Sequence, residues 1–176
     1  MKTVWILLVA FGAAFLELAA GFYALAVPAV AVAAFYLASV FGWRAAAIPV
    51  MLAAAAVDFQ SGRHVPATAL LVLPGVMALA RFWRNEGNCR MLPLQAVPGV
   101  LCGALQAAIL LPLESFGQER FFWRLLAHNL WLAFQMAASG ALLTPVLCGL
   151  LDRPASKLGL RRYQAVAEPQ AHHHAQ

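Results

Sequence analysis

The chain is predicted to be an all-α membrane protein of about six transmembrane helices, and three observations carry that expectation. First, 63% of its 176 residues are hydrophobic and 11% charged, with a mean hydropathy of +0.76. A soluble domain is about 45–50% apolar and about 25% charged. A soluble core in so short a chain cannot absorb the excess, because much of its surface stays exposed. A soluble enzyme and a disordered segment are both disfavoured. Second, the apolar residues come in runs of membrane-spanning length separated by short polar stretches. Third, the 12 Lys and Arg residues sit singly or in pairs between those runs. That is the arrangement of positive-inside loops. The net charge of +5 therefore does not indicate nucleic acid, which calls for a basic patch or stripe.

The run from Thr3 to Trp43 is interrupted only by Glu17, too long for one span and about right for two. Pro28 is the natural break, since it cannot continue a helical ladder. Helix 1 is expected over Thr3–Phe22 and helix 2 over Pro28–Trp43. Lys2 followed by Val4 to Leu16 could also be read as a signal peptide, but apolar sequence resumes directly after Glu17, as a first span requires. Arg44 separates helix 2 from a short helix 3, Ala45–Val57, and Asp58 to His64 form a polar loop. Helix 4 runs from Val65 to Trp83, with Pro66 in its first turn and a kink at Pro74. The loop Arg84 to Arg90 follows. Helix 5 covers Leu92–Leu113, and after the polar stretch Glu114 to Arg120, helix 6 covers Phe121–Leu151. Helices 2 and 3 are short, so five spans with one re-entrant segment is the alternative. No fixed-period repeat and no barrel-type alternation is present.

With the N-terminus inside, nine basic residues (Lys2, Arg44, Arg81, Arg84, Arg90, Arg153, Lys157, Arg161, Arg162) fall on the inner side. Three (Arg63, Arg120, Arg124) fall outside. Six spans then place both termini in the cytoplasm. Phe121-Phe122-Trp123 reads as an outer aromatic anchor. Residues 1–164 form one membrane domain, and residues 165–176 a disordered cytoplasmic tail. Its His172-His173-His174 offers no fixed geometry for a metal. The odd cysteines Cys89, Cys102 and Cys148 lack CxxC spacing, so neither a disulfide framework nor a zinc site is expected.

Ionisable groups inside a membrane attract functional hypotheses, since each costs about 2.5–3.5 kcal/mol at mid-bilayer. Glu17 in helix 1 and His128 with Asn129 in helix 6 qualify. A Glu17–His128 pair could be a structural clasp, a binding element or a proton relay. Gly99 and Gly103, spaced GxxxG on helix 5, allow close helix approach, within the chain or between two copies. No catalytic residue stands out. The only aspartates, Asp58 and Asp152, fall at opposite interfaces and cannot share a water as a protease dyad. Ser139 lies 11 residues past His128, roughly 16 Å by helical rise. No GxSxG, HExxH, Walker loop or GxGxxG occurs. No cofactor and no bound metal is expected.

The segment Asp58-Phe59-Gln60-Ser61-Gly62 first reads as a tight turn: Asp58 ends helix 3, Ser61-Gly62 reverses the chain, and Pro66 starts helix 4. Together with Pro28 opening helix 2, the basic loop Arg81-Phe82-Trp83-Arg84-Asn85, and the closing Leu143-Thr144-Pro145-Val146-Leu147 before basic residues, it resembles the rod shape-determining MreD family of bacterial inner membranes. Asp58, Ser61 and Gly62 match residue by residue. This chain departs after the turn, where Arg63-His64-Val65-Pro66 replaces a small hydrophobic residue and glycine. The resemblance implies a fold similar to the substrate-binding subunit of energy-coupling-factor transporters. It also implies a non-enzymatic scaffold of the cell-elongation complex, involved in cell shape and lateral peptidoglycan synthesis. The implied partners are an MreC-like bitopic protein, MreB, RodA, a penicillin-binding transpeptidase and membrane lipid. A different class, a vitamin- or metal-uptake subunit of the same architecture, would need an outward polar cavity. Its walls would come from Glu17, His128, Asn129 and Gln106 or Gln135.

Overall fold

The computed structural model describes residues 1–63, 66–86, 92–115, 122–160 and 163, and among them the chain is helical without a strand. Several residues discussed above lie outside the described ones: His64, Cys89, Arg90, Arg120, Phe121, Arg161, Arg162 and the tail from Gln164, including His172, His173 and His174.

Helix α1 spans Lys2–Phe22 and ends in a backbone reversal. There Leu25 N donates to Ala20 O and Ala24 N to Gly21 O, both at 3.0 Å. Ala24 takes the left-handed conformation, φ 57°, which usually falls to glycine at this place in a helix stop. Helix α2, Ala29–Phe41, follows Pro28 and is buried from Ala29 through Val40. Its sequence has no polar face, as expected of a helix surrounded on all sides. It touches α1 and each helix that follows it. Gly42, with φ 86°, then turns the chain into α3, Trp43–Gln60, which continues past the expected Val57 through Asp58 to Gln60.

The fourth segment departs from the expected kink. A π-helical turn, Thr68–Val72, leads into α4, Leu73–Glu86. Pro74 has no N–H, and its ring would crowd the carbonyl four residues back. A wider turn just before it relieves that crowding, so the irregularity lies upstream of the proline. Helix α5 is Leu92–Ser115 and α6 is Phe122–Lys157, each a little longer than its apolar run indicates.

The α5–α6 pairing is the most extensive in the bundle. A Cβ on Gly99 would overlap the Gly140 carbonyl, and one on Gly103 would overlap the Met136 carbonyl. The two glycines of α5 therefore lie against the backbone of α6 in the same chain, the close approach that small residues permit. Thr144 Oγ1 donates to Gly140 O at 2.9 Å, adding a hydroxyl at the same crossing.

Side-chain size is distributed inside-out relative to a soluble protein. Alanine is the commonest buried residue, whereas Leu8, Phe15, Ile48, Phe134 and Leu142 point outward and are more than half exposed. Water would penalise such a surface at about 25 cal/mol per Å², but a bilayer does not. Close packing through small residues with large apolar groups outside is how helices associate in lipid. Among the described residues, three helical stretches are long and apolar enough to cross a membrane: Lys2–Phe22, Leu94–Leu113 and Leu126–Lys157. Helix α2 is apolar but has only 13 residues. Among the described residues the chain is all-helical with three candidate spans, consistent with an all-α membrane protein.

Candidate functional site

Three carboxylates are drawn into the bundle, and each accepts a hydrogen bond from a backbone N–H. Asp58 is fully buried near the end of α3. The helix stops immediately after it: Gly62 N donates to Phe59 O at 3.1 Å and Arg63 N to Asp58 O at 3.0 Å. Gly62 supplies the positive φ, 74°, that this stop requires. The reversal brings the next helical segment back beside the carboxylate. Thr68 N donates to Asp58 Oδ2 at 2.8 Å and Ala69 N to the same oxygen at 3.3 Å. Thr68 Oγ1 donates to Oδ1 at 2.6 Å. Arg63 Nη1 also reaches Oδ1, at 2.9 Å, as an ion pair. Asp58 thus caps the helix that begins after the turn, where free N–H groups and the helix dipole favour negative charge. Ser61 and Gly62 are exposed.

Glu17 performs the same task across helices. Its Oε2 accepts from Val30 N at 2.8 Å, the second residue of α2, whose N-cap Pro28 has no capping side chain. Its Oε1 accepts from Gln106 Nε2 of α5 at 3.0 Å. The Glu17–His128 pair weighed as one option in the sequence does not form. His128 lies exposed on α6, and Glu17 is occupied by α2 and α5. The physical reason is that an orphan helix N-terminus beside Glu17 is a stronger claimant than a histidine able to remain at the surface. Asn129 is partly buried on the same helix and has a bonding partner of its own.

Beside Glu17 lies a cavity of about 400 Å³, lined by Glu17 and Gly21 of α1, Ser61 and Arg63 of the turn, Gln106 of α5 and Met136 of α6. It joins two sets of residues that were separate in the sequence, the signature turn and the intramembrane acid. His128, Asn129 and Gln135 do not line it.

Asp152 is the third carboxylate. Near the end of α6 its Oδ1 accepts from Tyr36 Oη of α2 and from Tyr163 N, both at 2.9 Å. The Tyr163 ring is buried, with its centroid 6.2 Å from those of Phe35 and Tyr36. This clasp escaped the sequence reading, which weighed Asp152 only as a protease partner for Asp58. A signal was available: an acid in the final turns of a helix opposes the dipole and needs donors to justify its place. Asp58 and Asp152 share no hydrogen-bond partner among those described. Among the described residues no group of three or more His, Cys, Asp or Glu is arranged to hold a metal ion. Cys102 and Cys148 are both buried, and neither is joined in a disulfide.

Compared with known protein families, with curated proteins and with solved structures, the chain matches none of them.

Proposed function

We propose that this protein is a non-enzymatic membrane scaffold, comparable in role to the MreD family. It would hold an MreC-like single-span protein within a cell-elongation complex of the bacterial inner membrane. In this reading all six long segments, α1 to α6, cross or enter the bilayer, and both termini lie in the cytoplasm with the basic loops. The observation that carries it is the use made of the acids. Glu17, Asp58 and Asp152 are each spent on backbone caps inside the fold. What remains for a partner is apolar helix surface, including Phe11 and Phe15 of α1 and Leu130, Trp131 and Phe134 of α6. Recognition by such a surface is helix against helix.

The folded form of the signature supports the same reading. Asp58, Ser61 and Gly62 build a self-contained turn, so the motif serves to present a defined helix pair. Solute uptake would call for a wider set of converging polar side chains than Glu17 and Gln106 with a turn at the rim. Basic residues at the helix ends, such as Arg44 and Arg84, suit anionic lipid, worth about 1 kcal/mol per residue near the surface.

Depletion of the protein in its native host tests the proposal. Rod-shaped cells are expected to round or to stop elongating, and a tagged copy is expected to retain a single-span coiled-coil protein after detergent extraction. Normal cell shape together with a vitamin or metal requirement would overturn the scaffold reading.

A further inference from the structure

The cavity beside Glu17 has chemistry that the scaffold role leaves unused. Gln106 is only 2% exposed, yet its Oε1 accepts no hydrogen bond from the protein. Its Nε2 is already committed to Glu17. A buried acceptor without a donor is destabilising, and the cavity it lines is large enough for a small molecule. The lining thus carries acceptors, the Glu17 carboxylate beside the Gln106 carbonyl. It also carries residues that can donate, Arg63 and Ser61. Phe22 and Met136 contribute apolar surface.

One class of ligand satisfies all three. We propose that this cavity binds a zwitterionic head group, with a primary ammonium toward Glu17 and Gln106, an anionic group toward Arg63 and Ser61, and carbon against Phe22 and Met136. A hydrogen-bond donor is required, because only a hydrogen delivered to Gln106 Oε1 removes its penalty. A primary ammonium supplies one while carrying the charge that suits Glu17. A quaternary ammonium has none to give. Arg63 keeps its bond to Asp58 while facing the anionic group, since a guanidinium has five N–H donors. The same chemistry has two sources: the ethanolamine phosphate of a membrane lipid, or a water-borne zwitterion such as phosphoethanolamine. The assignment is independent of the scaffold reading and stands or falls separately from it.

The test uses the full chain and two pairs of probes. In the first, the protein is placed in nanodiscs of phosphatidylethanolamine with phosphatidylglycerol, or of phosphatidylcholine with phosphatidylglycerol, and Tm is read in each. In the second, lipid-stripped protein in detergent is titrated with phosphoethanolamine or phosphocholine. Ligand that binds only the folded form raises Tm by mass action. Gly21→Leu fills the cavity from α1, where an added Cβ meets nothing within 4 Å. Gln106→Leu removes the orphan acceptor. A Tm preference of several degrees for phosphatidylethanolamine, abolished by Gly21→Leu, supports a lipid occupant. A saturable rise with phosphoethanolamine alone, also abolished by Gly21→Leu, supports a soluble one. Equal responses to the N–H and trimethylated probes overturn the proposal. So does a preference that survives the filled cavity, since that reflects bilayer mechanics and not a site. Should Gln106→Leu fail to accumulate, Gly21→Leu decides alone.

Discussion

Asp58 and Asp152 are built on one plan and differ in what they hold. Each lies near the C-terminal end of a helix that stops at a glycine of positive φ, Gly62 with 74° and Gly159 with 67°. Each carboxylate then reaches past the stop to take a backbone N–H from the returning chain, Thr68 N in one case and Tyr163 N in the other. After Asp58 the chain resumes as helix, so the acid also caps Ala69 and pairs with Arg63. After Asp152 the chain lays an aromatic ring on α2, and the acid gains a distant hydroxyl from Tyr36. The first is a latch within one hairpin. The second ties the C-terminal segment to the centre of the bundle. The same local stop can therefore serve secondary structure at one end of a molecule and tertiary closure at another.

Substitutions can break or sharpen this contrast. Asp58→Ala is expected to do most harm, because Thr68, Ala69 and the Arg63 charge all lose their acceptor at once. Removing one side of a buried ion pair costs about 3–5 kcal/mol. Loss of membrane accumulation and a lower denaturant midpoint in detergent are the readouts. Accumulation at the normal level with partner capture lost would instead mark Asp58 as a contact residue. Asp152→Ala comes next, at about 2–3 kcal/mol, since its bonds from Tyr36 and Tyr163 join a carboxylate to neutral donors. Its particular mark is faster proteolysis beyond Lys157, as the hold on Tyr163 is released. If Asp58→Ala exposes that same segment equally, the two ends are not separate devices.

Gly62→Ala and Gly159→Ala compare the two stops directly. An L side chain in the left-handed region costs about 1–2 kcal/mol, and both positions leave space for the methyl group itself. Equal losses in midpoint are expected, and an unequal pair would locate the less tolerant end. The smallest effect should come from Ala24→Gly in the corresponding stop of α1. Relief of the left-handed alanine is partly offset by glycine's greater freedom in the unfolded chain. A gain of about 0.5 kcal/mol is expected, and a loss would mean that the alanine methyl packs usefully there.

Much of this was legible in the residues, and what was not has a common cause. The helices could be placed from apolar runs and prolines, because those signals are local. The Asp58 turn could be read from Asp58, Ser61 and Gly62 for the same reason, though the helix continues to Gln60 because Gly62, not Asp58, ends it. Pro74 announced an irregularity but not its form, a wide turn placed ahead of the ring. The partners of Glu17 were invisible, since nothing in α1 states which helix start or which amide will lie alongside it. His128 was a reasonable candidate only while the helices had no relative positions. Asp152 was missed because its donors, Tyr36 and Tyr163, lie on opposite sides of it in the chain, one of them 116 residues away.

Helix α2 has one consequence of a different kind. Its 13 residues extend only about 20 Å, well short of a hydrocarbon layer of about 30 Å. Standing alone it would force the bilayer to thin around it or leave its ends in oil. Enclosed by the other helices it is buried along nearly its whole length, and Glu17 supplies the bond its first turn lacks. Its place in the fold thus depends on its neighbours, α1 through the Glu17 carboxylate and the α5–α6 pair through packing.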